Sequence, residues 1–158
     1  MDRKEITPSM IRVLVVNIGS HYFGAPIHEI HDVIQRQKTT PVPLAHDNII
    51  GLLNLRGHIV TELDMARTLD IAQQDSQDIE SQYSAVIHYK DELYSLVFDG
   101  IGDVIDIQPD SIEALPETVN AGWFSLSKGV YRMDDKLLVI LDLNGLIEHV
   151  IAQSQAAA

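Results

Sequence analysis

"IIGLLNLRGHIVTELDM", residues Ile49 to Met65, places one arginine, Arg56, beside a glycine in the middle of a long apolar run. A basic side chain inside a buried strand would leave an unpaired charge in low dielectric, at a cost of about several kcal/mol, so the arginine belongs at a bend. The stretch then divides into two strands and a tight turn. "GLLNL" runs in and Arg56-Gly57 reverses the chain, with the glycine free to take positive φ. "HIVTELDM" runs out with His58, Val60 and Glu62 alternating against Ile59, Thr61 and Leu63. Arg56 is predicted to stand at an exposed, rigid tip.

Upstream of this hairpin, "TTPVPLAHDN" carries two prolines that forbid a central strand and mark an irregular surface segment. Before it, "IRVLVVNI", Ile11 to Ile18, reads as a strand buried on both faces, turning at Gly19-Ser20 into "HYFGAPI". In "HEIHDVI" the spacing of Ile27, Ile30, Val33 and Ile34 fits a helical turn and a bent strand equally. Downstream, "DMARTLDI" suits a short helix with Asp64 as N-cap, and the polar "AQQDSQDIESQ", Ala72 to Gln82, reads as a linker. The second half holds two more strand pairs, around Lys90-Asp91-Glu92 and around Asp134-Asp135. It closes on an amphipathic helix with Leu146, Ile147, Val150 and Ile151 on one side, and the terminal alanines are expected to fray.

The two halves resemble each other. Asp32-Val33-Ile34 matches Asp103-Val104-Ile105 at an offset of 71, with Ile30 over Ile101, Ile27 over Phe98 and Tyr22 over Leu93. Gly51 and Leu63-Asp64-Met65 match Gly129 and Leu141-Asp142-Leu143 at an offset of 78. The chain therefore looks like two copies of one all-β plan, the second with a longer loop near "DSIEALPETVNAGWFS". Many short strands with frequent turns suit small barrels, because closing a sheet removes its unpaired edges.

Composition agrees with one globular domain. At 158 residues the chain can bury about 68–70% of its unfolded surface. Its 46% hydrophobic and 22% charged residues are ordinary, and the absence of cysteine excludes disulfides and thiolate metal sites. A net charge of −12 spread along the chain repels phosphate backbones, which argues against a nucleic-acid partner. "MDRKEITPSM" lacks an apolar signal core, and no apolar run approaches the roughly 18 residues of a membrane span, so a soluble cytoplasmic protein is expected.

Chemistry-bearing motifs are few. His28-x-x-His31 with Asp32 offers a crude metal constellation that lacks further ligands at a recognisable spacing, so exposed histidines on a half-buried segment are the simpler account. "FDGIGDV" has Gly100 and Gly102 but not the third glycine and following helix of a dinucleotide site. Asp134-Asp135 fits a solvated turn, and Trp123-Phe124 fits core packing. Arg56 has most to explain: a solvated hairpin tip, a structural pairing with Asp64 or another nearby acid, or a preorganised post for docking a helix or loop of another protein.

Four stretches in order, "NIGSHYFGAPIHEIHDVIQ", "IIGLLNLRGHIVTELDM", "LYSLVFDGIGDVIDI" and "SKGVYRMDDKLLVILDLNGLIE", resemble the CheW-like chemotaxis coupling proteins, with Asn54-Leu55-Arg56-Gly57 the most specific piece. The resemblance implies an all-β fold of two pseudo-repeated five-stranded SH3-like barrels around a shared apolar core, with a few short helices and a C-terminal helix. It implies a single domain over 11–147, with one subdomain at about 20–83, a second at about 84–140, N- and C-terminal segments completing the barrels, and flexible ends at 1–10 and 152–158. It implies an adaptor without catalytic activity or cofactor, recruited from the cytoplasm to membrane-associated receptor arrays. There it would bridge the cytoplasmic tip of methyl-accepting chemoreceptors to the regulatory domain of a CheA-type histidine kinase, and it would join rings with that kinase or with itself. By position, the receptor groove includes Ile30, Asp32, Gly51, Asn54, Arg56 and Gly57, and the kinase contact includes Asp99, Gly100, Ile101, Gly102, Asp103 and Val104. Thr61 stands where the family usually has proline, Ala66 stands where it commonly has arginine, and Glu62 adds a charge to the same strand. The other readings are a metal-binding sensor or small metalloenzyme built on His28 and His31, and a CheW-like competitor acting outside the standard array.

Overall fold

The Arg56-Gly57 hairpin forms as the strand pair β4 (Ile49–Leu55) and β5 (His58–Leu63), with Asn54 opposite Ile59 and Leu55 opposite His58. Both turn residues take left-handed backbone, φ 52° at Arg56 and 87° at Gly57, as a two-residue hairpin turn of matching twist requires. The computed structural model describes residues 10–71, 79–118 and 121–156.

Ahead of this pair come β1 (Ile11–Ile18), β2 (His21–Pro26), a 3-10 turn at Ile27–Glu29 and β3 (Asp32–Gln35), so "HEIHDVI" combines the end of a helical turn with a strand, joined through Ile30 and His31. After it come α1 (Met65–Thr68), β6 (Tyr83–Tyr89), β7 (Glu92–Phe98), β8 (Gly100–Ile107), β9 (Ser127–Met133), β10 (Lys136–Leu141) and α2 (Leu143–Ala156). Most of the expected linker Ala72 to Gln82 lies outside the described residues; its end forms a short 3-10 turn at Ile79–Ser81.

The strands form two five-stranded sheets of one order. One runs β8-β1-β2-β10-β9 and the other β3-β6-β7-β5-β4. In each, a hairpin (β1-β2 or β6-β7) sits at the centre and its second strand pairs parallel to β10 or β5. The order of β1 to β5 in the chain thus repeats as β6 to β10, as the matched offsets predict.

Each sheet, however, takes its central hairpin from one repeat and its other three strands from the other. The middle barrel is continuous, 32–98, and the terminal barrel joins 11–26 to 100–141. A boundary near residue 83–84 therefore does not divide the sheets: β6 and β7 pair with β3 and β5, and β2 belongs to the terminal barrel. The cause is non-local. Each three-stranded set leaves an open edge, and only the hairpin of the other repeat supplies the missing ladder.

Closure is also repeated. The chain leaving β3 returns so that Thr40 bridges Leu52 on the opposite edge, and the chain leaving β8 brings Glu113 to Val130. The matched glycines make this approach feasible: a Cβ on Gly51 would lie 2.5 Å from the Thr40 carbonyl oxygen, and one on Gly129 would lie 2.5 Å from that of Glu113. Both helices carry the same cap, with the Asp64 carboxylate accepting the Arg67 N–H at 3.0 Å and that of Asp142 accepting the Gly145 N–H at 3.0 Å.

A shared apolar core fills the space between barrels and helices, with Val16, Phe23, Leu63, Met65, Ile87, Leu96, Phe98, Leu141 and Ile147 fully buried. Trp123 belongs to it, its indole N–H donating to the Leu69 carbonyl at 2.7 Å, so one ring ties the terminal barrel to the end of α1. The Phe124 side chain lies outside the described residues.

Candidate functional site

Four of the six residues expected in the receptor groove come together at the seam where the middle barrel closes. The Arg56 side chain is 73% exposed, and its guanidinium lies 3.3 Å from the Asp32 carboxylate at the start of β3. The acid that meets Arg56 is therefore Asp32, while Asp64 is occupied as the α1 cap and lies 4.0 Å from Arg67. Asn54 fixes the turn by accepting the Gly57 N–H on its side-chain oxygen at 2.9 Å. Local backbone geometry and one cross-seam ion pair thus limit where the guanidinium can point.

The other two sit differently. Ile30 is half-buried and packs on the shared core, so part of its apolar area is already used in folding. Gly51 is buried beneath the Thr40 backbone, which corrects the expectation that it lines the receptor groove: the chain that closely approaches it is its own. The apolar neighbour that the sequence reading missed is Ile59, 63% exposed on the outgoing strand of the same hairpin. Its place in the alternation, one residue out of phase with buried Val60, was the available signal.

On the terminal barrel, Gly100 to Val104 lie on β8, an outer strand of its sheet, paired on one side with β1. Gly102, Asp103 and Val104 are exposed, whereas Ile101 packs partly on the shared core. Asp99 precedes the strand and has both carboxylate oxygens engaged within the chain: Oδ1 accepts from the Gln82 amide at 2.9 Å, and Oδ2 accepts the Gly19 N–H at 2.6 Å.

The histidines line a separate cleft of about 530 Å3 between the barrels, with His28, His31 and His88 around Glu29. Glu29 is committed to structure, accepting from Lys128 at 2.6 Å and from the Leu143 N–H at the start of α2 at 3.1 Å. Asp32, the third ligand of the metal reading, is turned to Arg56 instead. Among the described residues no group of three or more histidines and carboxylates could hold a metal ion, so that reading loses its site.

Sequence reasoning placed Glu62 as an added negative charge on its strand and missed its partner. The side chain is fully buried, and Oε1 accepts two bonds from Arg36, at 3.1 and 3.0 Å. Arg36 does not reach the second oxygen, and the Ser95 hydroxyl on the neighbouring strand is the other group that favours the charged carboxylate. Burial pushes the Glu62 carboxyl above its ordinary value, with Arg36 opposing that shift. Alternation does put Glu62 on the face of Val60, but the residue type concealed its burial.

Comparison with known proteins agrees with this geometry. A family model described as the CheW-like domain matches residues 12–150. The chain is similar to the chemotaxis protein CheW of Bacillus subtilis, 24% identical over 143 residues that cover 90% of each chain. It is also similar to that of Thermotoga maritima, 28% identical over 138 residues that cover 87% of this chain and 88% of the relative. The crystal structure of the scaffolding protein TtCheW from Thermoanaerobacter tengcongensis superposes with a TM-score of 0.78 at 23% identity, covering 92% of this chain and 93% of that one. That likeness shows the fold of two SH3-like barrels.

Proposed function

The chain belongs to the CheW-like domain family, and on that premise we propose that it is a non-catalytic adaptor coupling chemoreceptors to a CheA-type histidine kinase in chemotaxis or a related motility pathway. The observation that carries this reading is the exposed guanidinium of Arg56. It is mounted on a two-residue turn, paired with Asp32, on the same hairpin that exposes Ile59 opposite Asn54. A planar, permanently charged donor next to apolar surface is suited to gripping a helical hairpin through charge-assisted bonds and buried area together. Asp32, Asn54, Arg56 and Gly57 form the receptor post, with Ile30 at its border. The outer edge of β8, Gly100 to Val104, is the surface for the kinase regulatory domain, and two faces on opposite barrels allow the protein to join rings.

Among the described residues no helix is long and apolar enough to cross a membrane, so recruitment from the cytoplasm to a receptor array would run through these protein contacts. The test is co-sedimentation of the protein with a receptor cytoplasmic fragment and a CheA-type kinase. Arg56→Glu should weaken receptor binding by about 2 kcal/mol or more, roughly thirtyfold, while the unfolding midpoint stays in place. Unchanged co-sedimentation of a folded variant removes the hairpin from the interface. Protein that lowers receptor-coupled phosphorylation when added to the mixture is a competitor instead of a coupler.

A further inference from the structure

We propose that Arg36, Glu62, Gln82 and Asp99 form a positioning relay that locks the start of β8 and the β1-β2 turn of the terminal barrel to the interior of the middle barrel. The line is continuous. Glu62 accepts from Arg36, Arg36 donates to the Gln82 side-chain oxygen at 2.6 Å, the Gln82 amide donates to Asp99 at 2.9 Å, and Asp99 accepts the Gly19 N–H at 2.6 Å. Asp99 also holds the same turn through its own backbone, its N–H donating to the Asn17 carbonyl at 2.9 Å.

The barrel itself does not require these polar groups. At the matched offsets Gln82, Arg36 and Glu62 correspond to Ile11, Ile107 and Ile140, which pack together in the interior of the terminal barrel. One fold therefore fills the same three places with isoleucine in one copy and with an amide and an ion pair in the other. A buried ion pair is at best a weak stabiliser compared with apolar residues of similar volume, so its use here points to a directional task. That task is visible in where the atoms lead: out of the middle barrel, through Gln82, to the carboxylate that sets the first residue of the β8 edge. Asp99 is then a positioning residue for the kinase surface, each of its oxygens already holding a bond within the chain. The functional half of this inference rests on the proposed reading of β8 as that surface.

The experiment transplants the isoleucines. The variant Arg36→Ile, Glu62→Ile, Gln82→Ile is expected to keep its unfolding midpoint, while amide hydrogen exchange at Gly19 and Asp99 quickens by at least about tenfold; exchange at Glu113 and Val130, the closing bridge of the same terminal barrel and outside the relay, stays within about twofold. Binding of a CheA-type regulatory domain should fall, while binding of a receptor fragment stays level. Exchange at Gly19 and Asp99 that is unchanged in the folded variant overturns the relay, whatever the binding shows. Faster exchange with kinase binding intact upholds the relay and instead removes β8 from the kinase contact. Gln82→Leu, which keeps the ion pair and cuts the line beyond it, is measured alongside, with the same expected and overturning results, so the test stands if the triple variant fails to fold.

Discussion

The two barrels share strand order, closing bridge, glycine and helix cap, yet differ where function would act. The hairpin tip of the middle barrel is Arg56 and its counterpart in the terminal barrel is Asp134, both with left-handed backbone, at φ 52° and 49°. The seam of one is crossed by Arg56 and Asp32; the matching residues in the other, Asp134 and Asp103, are both acids, and that seam is tied instead by Arg132 to Glu113 at 3.1 Å. Inside, the middle barrel has Glu62, Arg36, Ser84 and Ser95 where the terminal barrel has Ile140, Ile107, Val13 and Gly24. Positions that differ between two copies of one architecture are free of the demands of that architecture. The shared ones, Gly51 with Gly129 and Asp64 with Asp142, are the ones the fold requires.

The comparison breaks most visibly at the ion pair. Arg36→Met alone leaves Glu62 buried without its cation and should cost about 3–5 kcal/mol in denaturant unfolding, whereas the matched apolar replacement of both partners should cost little. Binding distinguishes the tips next. Asp134→Lys should leave receptor co-sedimentation unaltered, in contrast to the loss of about 2 kcal/mol expected for Arg56→Glu, because only one tip is proposed to face the receptor.

The closing glycines sharpen the comparison from the shared side. Gly51→Ala should lower stability by about 1–3 kcal/mol through collision with the Thr40 carbonyl. Gly129→Ala should cost more by roughly 1 kcal/mol, because its φ of 134° adds backbone strain to the same collision.

The smallest expected effect is in pH. The folded Glu62 carboxyl is held above its ordinary value, chiefly by burial, so its contribution to stability is full below the ordinary carboxylate range and is lost as pH rises through the folded value. Glu62→Gln should therefore flatten a fall in unfolding free energy as pH rises above the ordinary carboxylate range. Asp106, lowered chiefly by its hydrogen bond from Arg12, works in the opposite sense, its contribution being lost as pH falls through the folded value. Its place on the solvent-exposed surface makes that share slight. Urea unfolding across the pH range, with Asp106→Asn as the second variant, separates the two.

Much of the architecture was legible because its signals are local or periodic. Arg56 beside Gly57 implied a turn, Asp64 implied a cap, prolines marked the loop after β3, and matched triplets revealed the duplication. Of the site, the exposed tip and its Asn54-Arg56-Gly57 setting were legible. Gly51 was misplaced, because a glycine that allows close approach does not say whether the neighbour is a partner or its own chain. Glu62 was misjudged, because burial of an acid depends on a cation 26 residues away in sequence that no local pattern points to.

The sequence by itself determined the repeated all-β plan, the turns and caps, and the exposure of the guanidinium, since alternation, turn chemistry and the cost of burying a lone charge act over a few residues. Only the tertiary structure decided that each barrel borrows its central hairpin from the other repeat, that Asp32 is the acid meeting Arg56, and that Arg36, Glu62, Gln82 and Asp99 lie in one line. Those outcomes depend on pairing between distant segments, where the need to satisfy open strand edges and buried charges is met by whichever partner the whole fold brings within reach.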